Sequence, residues 1–286
     1  MKSILVQFDT DVQPSVFDRV VAVDSGVEQL FAYGGVTPET VESLVHGAIF
    51  TRGVHDLSST AIFVGGSDVA AGEQVFAAVQ EAFFGPMRVS VMMDSNGSNT
   101  TAAAAVLRAR RHVKLAGSVA VVLGGTGPVG QRAAELLALE GARVRVGSRS
   151  LERAAATCES IATRVEGAEL DPVATSDSDS VATALAGAAT VIAAGAPGVQ
   201  LISAETLAAS DLQVAIDLNA VPPLGIDGVE MTDKAVESGG VVRYGAIGVG
   251  GTKMKIHTAA LKRLFVANDG VLDTEAIYRI GESLEK

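Results

Sequence analysis

What this 286-residue chain lacks narrows its chemistry first. Cysteine occurs once, as Cys158. No internal disulfide framework can form, and a reducing cytoplasm is the expected compartment. Cys158 falls in an Ala-rich helical stretch, which predicts buried filler and not a nucleophile. The four histidines show no HxxH spacing and a lone cysteine makes no CxxC pair, so no metal site is expected. Basic residues are scarce: 22 Lys and Arg stand against 33 Asp and Glu, a net charge of −11. No basic face is on offer to neutralise a phosphate backbone, so nucleic acid is not an expected partner. Apolar runs stay well short of the ~18 residues a membrane helix needs, so no membrane partner is expected. Ile4 to Phe8 is too short for a signal sequence, and Asp9 and Asp11 follow it at once.

What the chain does have is core-forming material, 48% of its residues being hydrophobic, and one organising stretch. Val119 to Leu123 has strand length and β-branched content. It runs into Gly125-x-Gly127-x-x-Gly130, then into residues of helical spacing, Ala133, Leu136, Leu137 and Glu140, closed by Gly141. Strand, glycine turn and helix in that order form a dinucleotide-binding pattern. Gly125 permits the tight turn, Gly127 lets the backbone approach a pyrophosphate, and Gly130 lets the helix pack against the strand. The helix start, with Thr126, Pro128 and Val129, offers backbone N–H groups and a partial positive charge to phosphates. The bland alternative is a Gly-rich strand–helix turn that holds nothing.

The next strand, Ala142 to Val146, ends at Gly147-Ser148-Arg149. An NAD-binding chain usually carries Asp or Glu roughly 20 residues past the glycines, to hold the ribose 2′-hydroxyl. Here Ser148 and Arg149 stand in that place, with Arg153 one helical turn on. A guanidinium forks onto a phosphate and a hydroxyl can donate to it, which predicts NADP; solvated surface arginines are the alternative. Further strands over Thr190 to Ala194, Gln213 to Leu218 and Val241 to Tyr244 would bring Ala194, Gly195 and Asn219 to the rim beside the cofactor.

Residues 1–100 read as α/β units of their own. Strands are expected at Ser3 to Phe8, Leu30 to Tyr33, Ala48 to Thr51, Thr60 to Val64 and Val89 to Met93. Helices are expected from Pro14 or Ser15, from Thr37-Pro38, and over Ala70 to Phe83. The last of these strands delivers Asp94 to Thr101, in which every residue but Gly97 carries a hydrogen-bonding side chain. One helix cap needs one such residue, so the excess predicts a binding loop before a helix at Ala102 to Arg110. Arg108, Arg110, Arg111, His112 and Lys114 read as a solvated helix end. Asp171 to Ser180 reads as a loop or helix start, and helices are expected at Met254 to Phe265 and Thr274 to Leu284. The fold class is therefore α/β: an N-terminal α/β domain, a Rossmann NADP-binding domain, and C-terminal helices returning to the first domain. The expected bounds are 1–103 with 258–286, and 104–257, with the ligand in a cleft between the halves.

Several polar motifs go beyond a generic dinucleotide fold. These are Gln7 to Asp11, Thr51-Arg52-Gly53, Ala61 to Gly66, Phe84-Gly85-Pro86, Asp94 to Thr101, Gly125 to Gly130, Asn219 to Gly225 and Gly248 to His257. Together they make the chain resemble, over essentially its whole length, the NADP-dependent methylene-tetrahydromethanopterin dehydrogenases of one-carbon-oxidising bacteria. The resemblance implies a pterin domain from the N-terminal half and C-terminal helices, a middle NADP domain, a tetrahydromethanopterin-type substrate, and a homo-oligomer, a trimer or a multiple of it. It implies hydride transfer in formaldehyde oxidation, a step that moves no proton and so asks for no Ser–His–Asp set, metal or catalytic Cys; none is visible. Asp9, Asp11 and Asp94 are then candidates for the donor-rich pterin edge or the cationic product. Gln7, Arg52, Ser95, Asn96, Ser98 and Asn99 are candidates for polar pterin contacts. Lys253, after a glycine-rich strand end, is the candidate functional lysine, for positioning and not proton transfer. Lys255 is a second substrate candidate, although two positions on a helix lie roughly 200° apart.

Three other readings stand beside this one: a methylene-tetrahydrofolate dehydrogenase, since both pterins carry the same reactive five-membered ring; an oxidoreductase similar to shikimate dehydrogenases; and a non-enzymatic NADP sensor. The second needs a catalytic Lys in the N-terminal half, where Lys2 at the chain start is alone. The third has no use for the polar run at Asp94 to Thr101.

Overall fold

The computed structural model describes residues 1–285. β1 (Ile4–Asp9) is buried from Leu5 onward. It leads to α1 (Val16–Asp24), where the Ser15 hydroxyl caps the Asp18 N–H at 3.3 Å. β2 (Gln29–Tyr33) follows, then α2 (Pro38–Ile49), with Thr37 as N-cap and Pro38 in the first turn. Next come β3 (Thr60–Gly65), fully buried, α3 (Val69–Glu81), β4 (Ser90–Met93) and α4 (Ser98–Arg110). The second set opens with β5 (Val119–Leu123), α5 (Pro128–Leu139), β6 (Arg143–Ser148), α6 (Leu151–Ala162) and β7 (Leu170–Ala174). It continues with α7 (Ser178–Leu185), β8 (Thr190–Ala193), α8 (Ala204–Ala208), β9 (Val214–Asp217), β10 (Lys234–Ser238) and β11 (Val241–Tyr244). α9 (Ala246–Arg263), β12 (Val271–Leu272) and α10 (Thr274–Ser283) close the chain.

The chain divides into two compact units, one of residues 1–100 with Met254 onward, the other Thr101–Lys253. Both cuts fall inside continuous helices, α4 and α9, so no linker marks them; the bounds expected from sequence lie a few residues further along the same helices. In the first unit the sheet order is β2-β1-β3-β4-β12, all parallel. Val6, Phe8, Ile62 and Val64 pack there on Val41, Val45 and Ile49 of α2 and Val75 and Val79 of α3. In the second unit the order is β7-β6-β5-β8-β9-β11-β10, parallel except for the antiparallel β10–β11 edge. Each sheet reverses its strand order once, between β1 and β3 and between β5 and β8. Open α/β sheets bind ligands at the carboxyl ends of the strands that flank such a point.

Four local expectations fail, each for a packing reason. Ala48 to Thr51 is no strand; α2 runs through to Ile49, and Val41, Val45, Ala48 and Ile49 form its buried face. A short apolar run does not separate helix from strand. The polar run after β4 is not a loop, because a short 3-10 turn at Ser95–Gly97 passes directly into α4 at Ser98. Ala246 to Gly251 is not a strand-end loop but the first turns of α9, entered directly from Gly245. A Cβ on Gly245 or Gly248 would collide with the Glu230 or Asp233 carbonyl oxygen, so these glycines serve close backbone packing. Asp171 lies in β7, a strand not foreseen, as β10, β12 and α8 were not.

Candidate functional site: a dinucleotide cradle and a carboxyl-edge acid cluster

At the β5–β8 switch point, Gly124 turns the chain at φ +69° directly against β8, and a Cβ on it would stand 2.7 Å from the Ala194 oxygen. A Cβ on Gly125 would meet Val146 Cγ1 at 2.7 Å, and one on Gly130 would collide with the Gly124 oxygen. Helix α5 thus begins pressed onto the turn. Its N-cap is Gly127, with no side-chain cap, and Pro128 fills the first position, so the first-turn amides are not stoppered by a side chain. By contrast Ser15, Asp68, Ser150 and Asp273 cap α1, α3, α6 and α10. The Gln131 amide donates to the Thr126 oxygen at 2.9 Å and fixes the loop. Ser148, nearly buried at the end of β6, lies 3.5 Å from the Thr126 hydroxyl and accepts from the Ser150 N–H at 3.2 Å. Arg149 and Arg153 are exposed, and among the described residues neither guanidinium has a hydrogen bond or ion pair. Glycine turn, open helix start and two uncommitted cations fit a phosphorylated dinucleotide.

The sequence-selected residues of this unit meet unevenly. Gly125 to Gly130, Ser148, Ala194 and Gly195 converge on the cradle. Asn219 is buried and committed to its own turn, donating to the Pro223 oxygen at 3.2 Å and accepting from the Val221 N–H at 3.0 Å. Lys253 is half-buried and Lys255 exposed, both within α9 and not after a strand end. Cys158 is buried, and burial pushes its thiol up to about 11, the wrong direction for a nucleophile.

In the first unit the carboxyl ends of β1, β3 and β4 gather a polar cluster. Asp9 is fully buried and accepts from the Gln7 amide and from the Asp11 and Ser15 N–H groups, each at 3.0 Å. Asp11 accepts from the Ser67 hydroxyl at 2.8 Å and the Ser67 N–H at 3.0 Å, joining the loops after β1 and β3. Asp94, fully buried, accepts from the Thr100 hydroxyl at 2.6 Å and N–H at 3.0 Å; its Oδ2 lies 4.0 Å from Nδ1 of buried His257. Ser95 donates to the Gly65 oxygen, Ser98 to the Ser95 oxygen, and Asn99 to the Met93 oxygen while accepting from Thr274. Most of the polar run is therefore spent holding the start of α4. The exception is Asn96, exposed and left-handed at φ 54°, a conformation non-glycine residues seldom adopt without a reason.

Two findings revise the choice of residues. Arg52 is not with this cluster: its Nη2 donates to the Lys2 oxygen at 3.1 Å, at the amino end of the sheet. Asp18, not selected from sequence, does belong. A Cβ on Gly65 would lie 3.1 Å from Asp9 Oδ2 and 3.6 Å from Asp18 Oδ2, so the two carboxylates flank the end of β3. Burial pushes the Asp18 carboxyl above the ordinary range, against the pull of the His257 imidazole and the Ser15 hydroxyl, while Asp94 and Asp9 push it the same way as burial. Asp18 is only half-buried, so of these three carboxylates it is the one with surface to present. In sequence it looks like an ordinary first-turn acid favoured by the helix dipole.

Residues 16–96 match the family described as methylene-tetrahydromethanopterin dehydrogenase, N-terminal. The chain is 48% identical over 286 residues, 99% of both chains, to the bifunctional protein MdtA of Methylorubrum extorquens. It is 33% identical over 290 residues, 98% of this chain and 97% of the relative, to the NAD(P)-dependent methylenetetrahydromethanopterin dehydrogenase of the same organism. Among solved structures, quinate dehydrogenase from Corynebacterium glutamicum in complex with NAD covers 99% of each chain at a TM-score of 0.54 and 14% identity, a likeness of fold. On the full-length identities, this chain is a member of the methylene-tetrahydromethanopterin dehydrogenase family of oxidoreductases.

Proposed function

We propose that this chain oxidises methylene-tetrahydromethanopterin to the methenyl compound by hydride transfer to NADP, as a step of formaldehyde oxidation. The reading of the substrate rests on the family, in which the relatives are full-length matches. The reading of NADP rests on one observation, the end of β6: the strand closes on Ser148 and Arg149 where an acidic residue would take a 2′-hydroxyl, the nearest acid being Glu152 in the first turn of α6, and the Arg149 and Arg153 guanidinium groups are both uncommitted. The nicotinamide cofactor, when bound, supplies the carbon that accepts the hydride. The substrate's methylene carbon lies between two nitrogens, and the cation left behind is stabilised by both, so no side chain has to move a proton. The chain's work is to hold and orient. The glycine turn and α5 amides hold the pyrophosphate, and Arg149 with Arg153 the 2′-phosphate. In the first unit Asp18 and Asn96 contact the pterin; Asp18 also places negative charge near the forming cation. Asp9 and Asp94 shape that edge from beneath, and half-buried Asp11 holds the loops after β1 and β3 together beside it. Lys253 remains the candidate positioning lysine, and the shikimate-type alternative still lacks its N-terminal catalytic Lys. The homo-oligomer belongs to the same reading and finds support in α1, where Val16, Phe17, Val20 and Val23 are each at least half exposed.

Arg149→Ala tests the cofactor assignment. One charge-assisted contact to phosphate is worth about 1.5–3 kcal/mol, so KM for NADP should rise roughly tenfold or more while KM for NAD stays put. An equal rise for both would remove the 2′-phosphate from Arg149.

A further inference from the structure

In the first unit α9 brings an imidazole into the carboxyl-edge acid cluster. His257 is fully buried. Its ring stacks on Phe63 of β3, with centroids 5.9 Å apart and planes at 14°, and lies 6.3 Å from the Phe17 ring of α1. Phe63 and Gly65 share one face of β3, opposite Ile62 and Val64. A Cβ on Gly65 would lie 3.1 Å from Phe63 Cε1, next to both Asp9 Oδ2 and Asp18 Oδ2. The stacked pair therefore borders the Asp18 carboxylate, and His257 Nδ1 also stands 4.0 Å from Asp94 Oδ2. A hydrocarbon side chain could fill the place between Phe63 and Phe17 with no polar group to desolvate, so the nitrogens and not the shape set this residue apart. Three carboxylates sharing one place oppose each other's ionisation. Asp9 and Asp94 are held by donors, the Gln7 amide and two backbone N–H groups for one, Thr100 for the other. Asp18 is pushed toward its neutral form by burial and by both of those acids, and the imidazole is the charge that opposes them, with help from the Ser15 hydroxyl.

We infer that His257 is a positioning residue for the hydride transfer, a cation set beside Asp18 that keeps its carboxylate ionised at the pterin edge. This deepens, and rests on, the reading of Asp18 as a pterin contact. Loss of the hydride leaves a cation on the substrate, and a fixed negative charge favours that cation where a neutral carboxyl does not. His257 has no surface to present to a substrate, so it acts through Asp18. The groups that face Asp18 are His257 from α9, Asp94 from the end of β4, Asp9 from the end of β1 and Ser15 from the start of its own helix. Of these four, the imidazole is the one that can carry positive charge.

The test is the pH profile of kcat/KM for methylene-tetrahydromethanopterin in the parent, His257→Gln and His257→Phe, each also made with Asp18→Asn. His257→Gln stays polar without a charge, and His257→Phe keeps a ring on Phe63. Activity of the parent should rise with pH as Asp18 ionises. Both variants should carry that rise to higher pH, losing roughly tenfold on the acid limb and recovering beyond it, with KM for NADP unchanged. Combined with Asp18→Asn, the same changes at position 257 should leave the profile where it is. An equal loss at every pH, the same loss alongside Asp18→Asn, or a parental profile in His257→Gln would overturn the inference. Carbon-13 NMR of the aspartate carboxyls separates this result from the substrate reading. The Asp18 resonance should titrate at higher pH in His257→Gln than in the parent, whether or not pterin is turned over. A titration unmoved by the substitution overturns the role of His257. A moved titration in a protein that turns over no pterin leaves the Asp18–His257 pair standing and overturns the substrate reading beneath it.

Discussion

Asp9 and Asp94 spend their oxygens inside the fold, whereas Asp18 is held beside them with its carboxyl raised by burial. That difference has a measurable signature. A folded-state carboxyl raised above its unfolded value gives stability that is complete at acid pH and lost as pH rises through the folded value. Asp18→Asn should therefore melt higher than the parent at pH 7, and the gap should close as pH falls into the ordinary carboxylate range. The same variant should raise KM for the pterin roughly tenfold, the worth of about 1.4 kcal/mol, and leave NADP binding intact. A stabilising substitution that harms substrate use is what a contact residue gives; a purely structural Asp18 would lower the melting temperature and spare KM. The strand, glycine turn and helix of β5–α5 could be read from the chain because they are local. Asp18 could not, because its meaning depends on Gly65 and His257 lying against it.

Elements were legible where periodicity and punctuation agree, as in β3, α3 and the β5–α5 unit. They were misread where a residue type has two physical uses. The glycines at 245 and 248 look like loop residues but let α9 start against the Glu230 and Asp233 carbonyls. The polar side chains of Asp94 to Thr101 look like ligand contacts but mostly tie the end of β4 to the start of α4. Two alanine substitutions separate these uses. Gly248→Ala forces a side chain onto backbone that cannot yield, and should lower stability by about 1–3 kcal/mol, read as a shifted denaturant midpoint with no change in slope. Gly130→Ala pushes α5 off the turn, and should lower NADP affinity and stability together, seen by cofactor titration and thermal melting. If Gly130→Ala bound NADP normally, the cradle would lie elsewhere.

For the whole molecule, two largely parallel sheets, each with its own switch point, present two carboxyl edges: a glycine turn on one, a half-buried carboxylate and a left-handed Asn96 on the other. Among the described residues, no helix is long and apolar enough to cross a membrane. A ligand that binds only the folded state adds about 2.7 kcal/mol at a hundred times its Kd, so NADP should raise the melting temperature more than NAD at equal concentration. The most direct measurement of the account is a spectrophotometric assay of the purified protein. It crosses methylene-tetrahydromethanopterin and methylene-tetrahydrofolate with NADP and NAD. The account predicts fastest turnover with the methanopterin substrate and NADP, at the highest kcat/KM of the four pairs. No turnover with any pair would contradict the hydride-transfer assignment, and faster turnover with NAD would contradict the role given to Arg149 and Arg153.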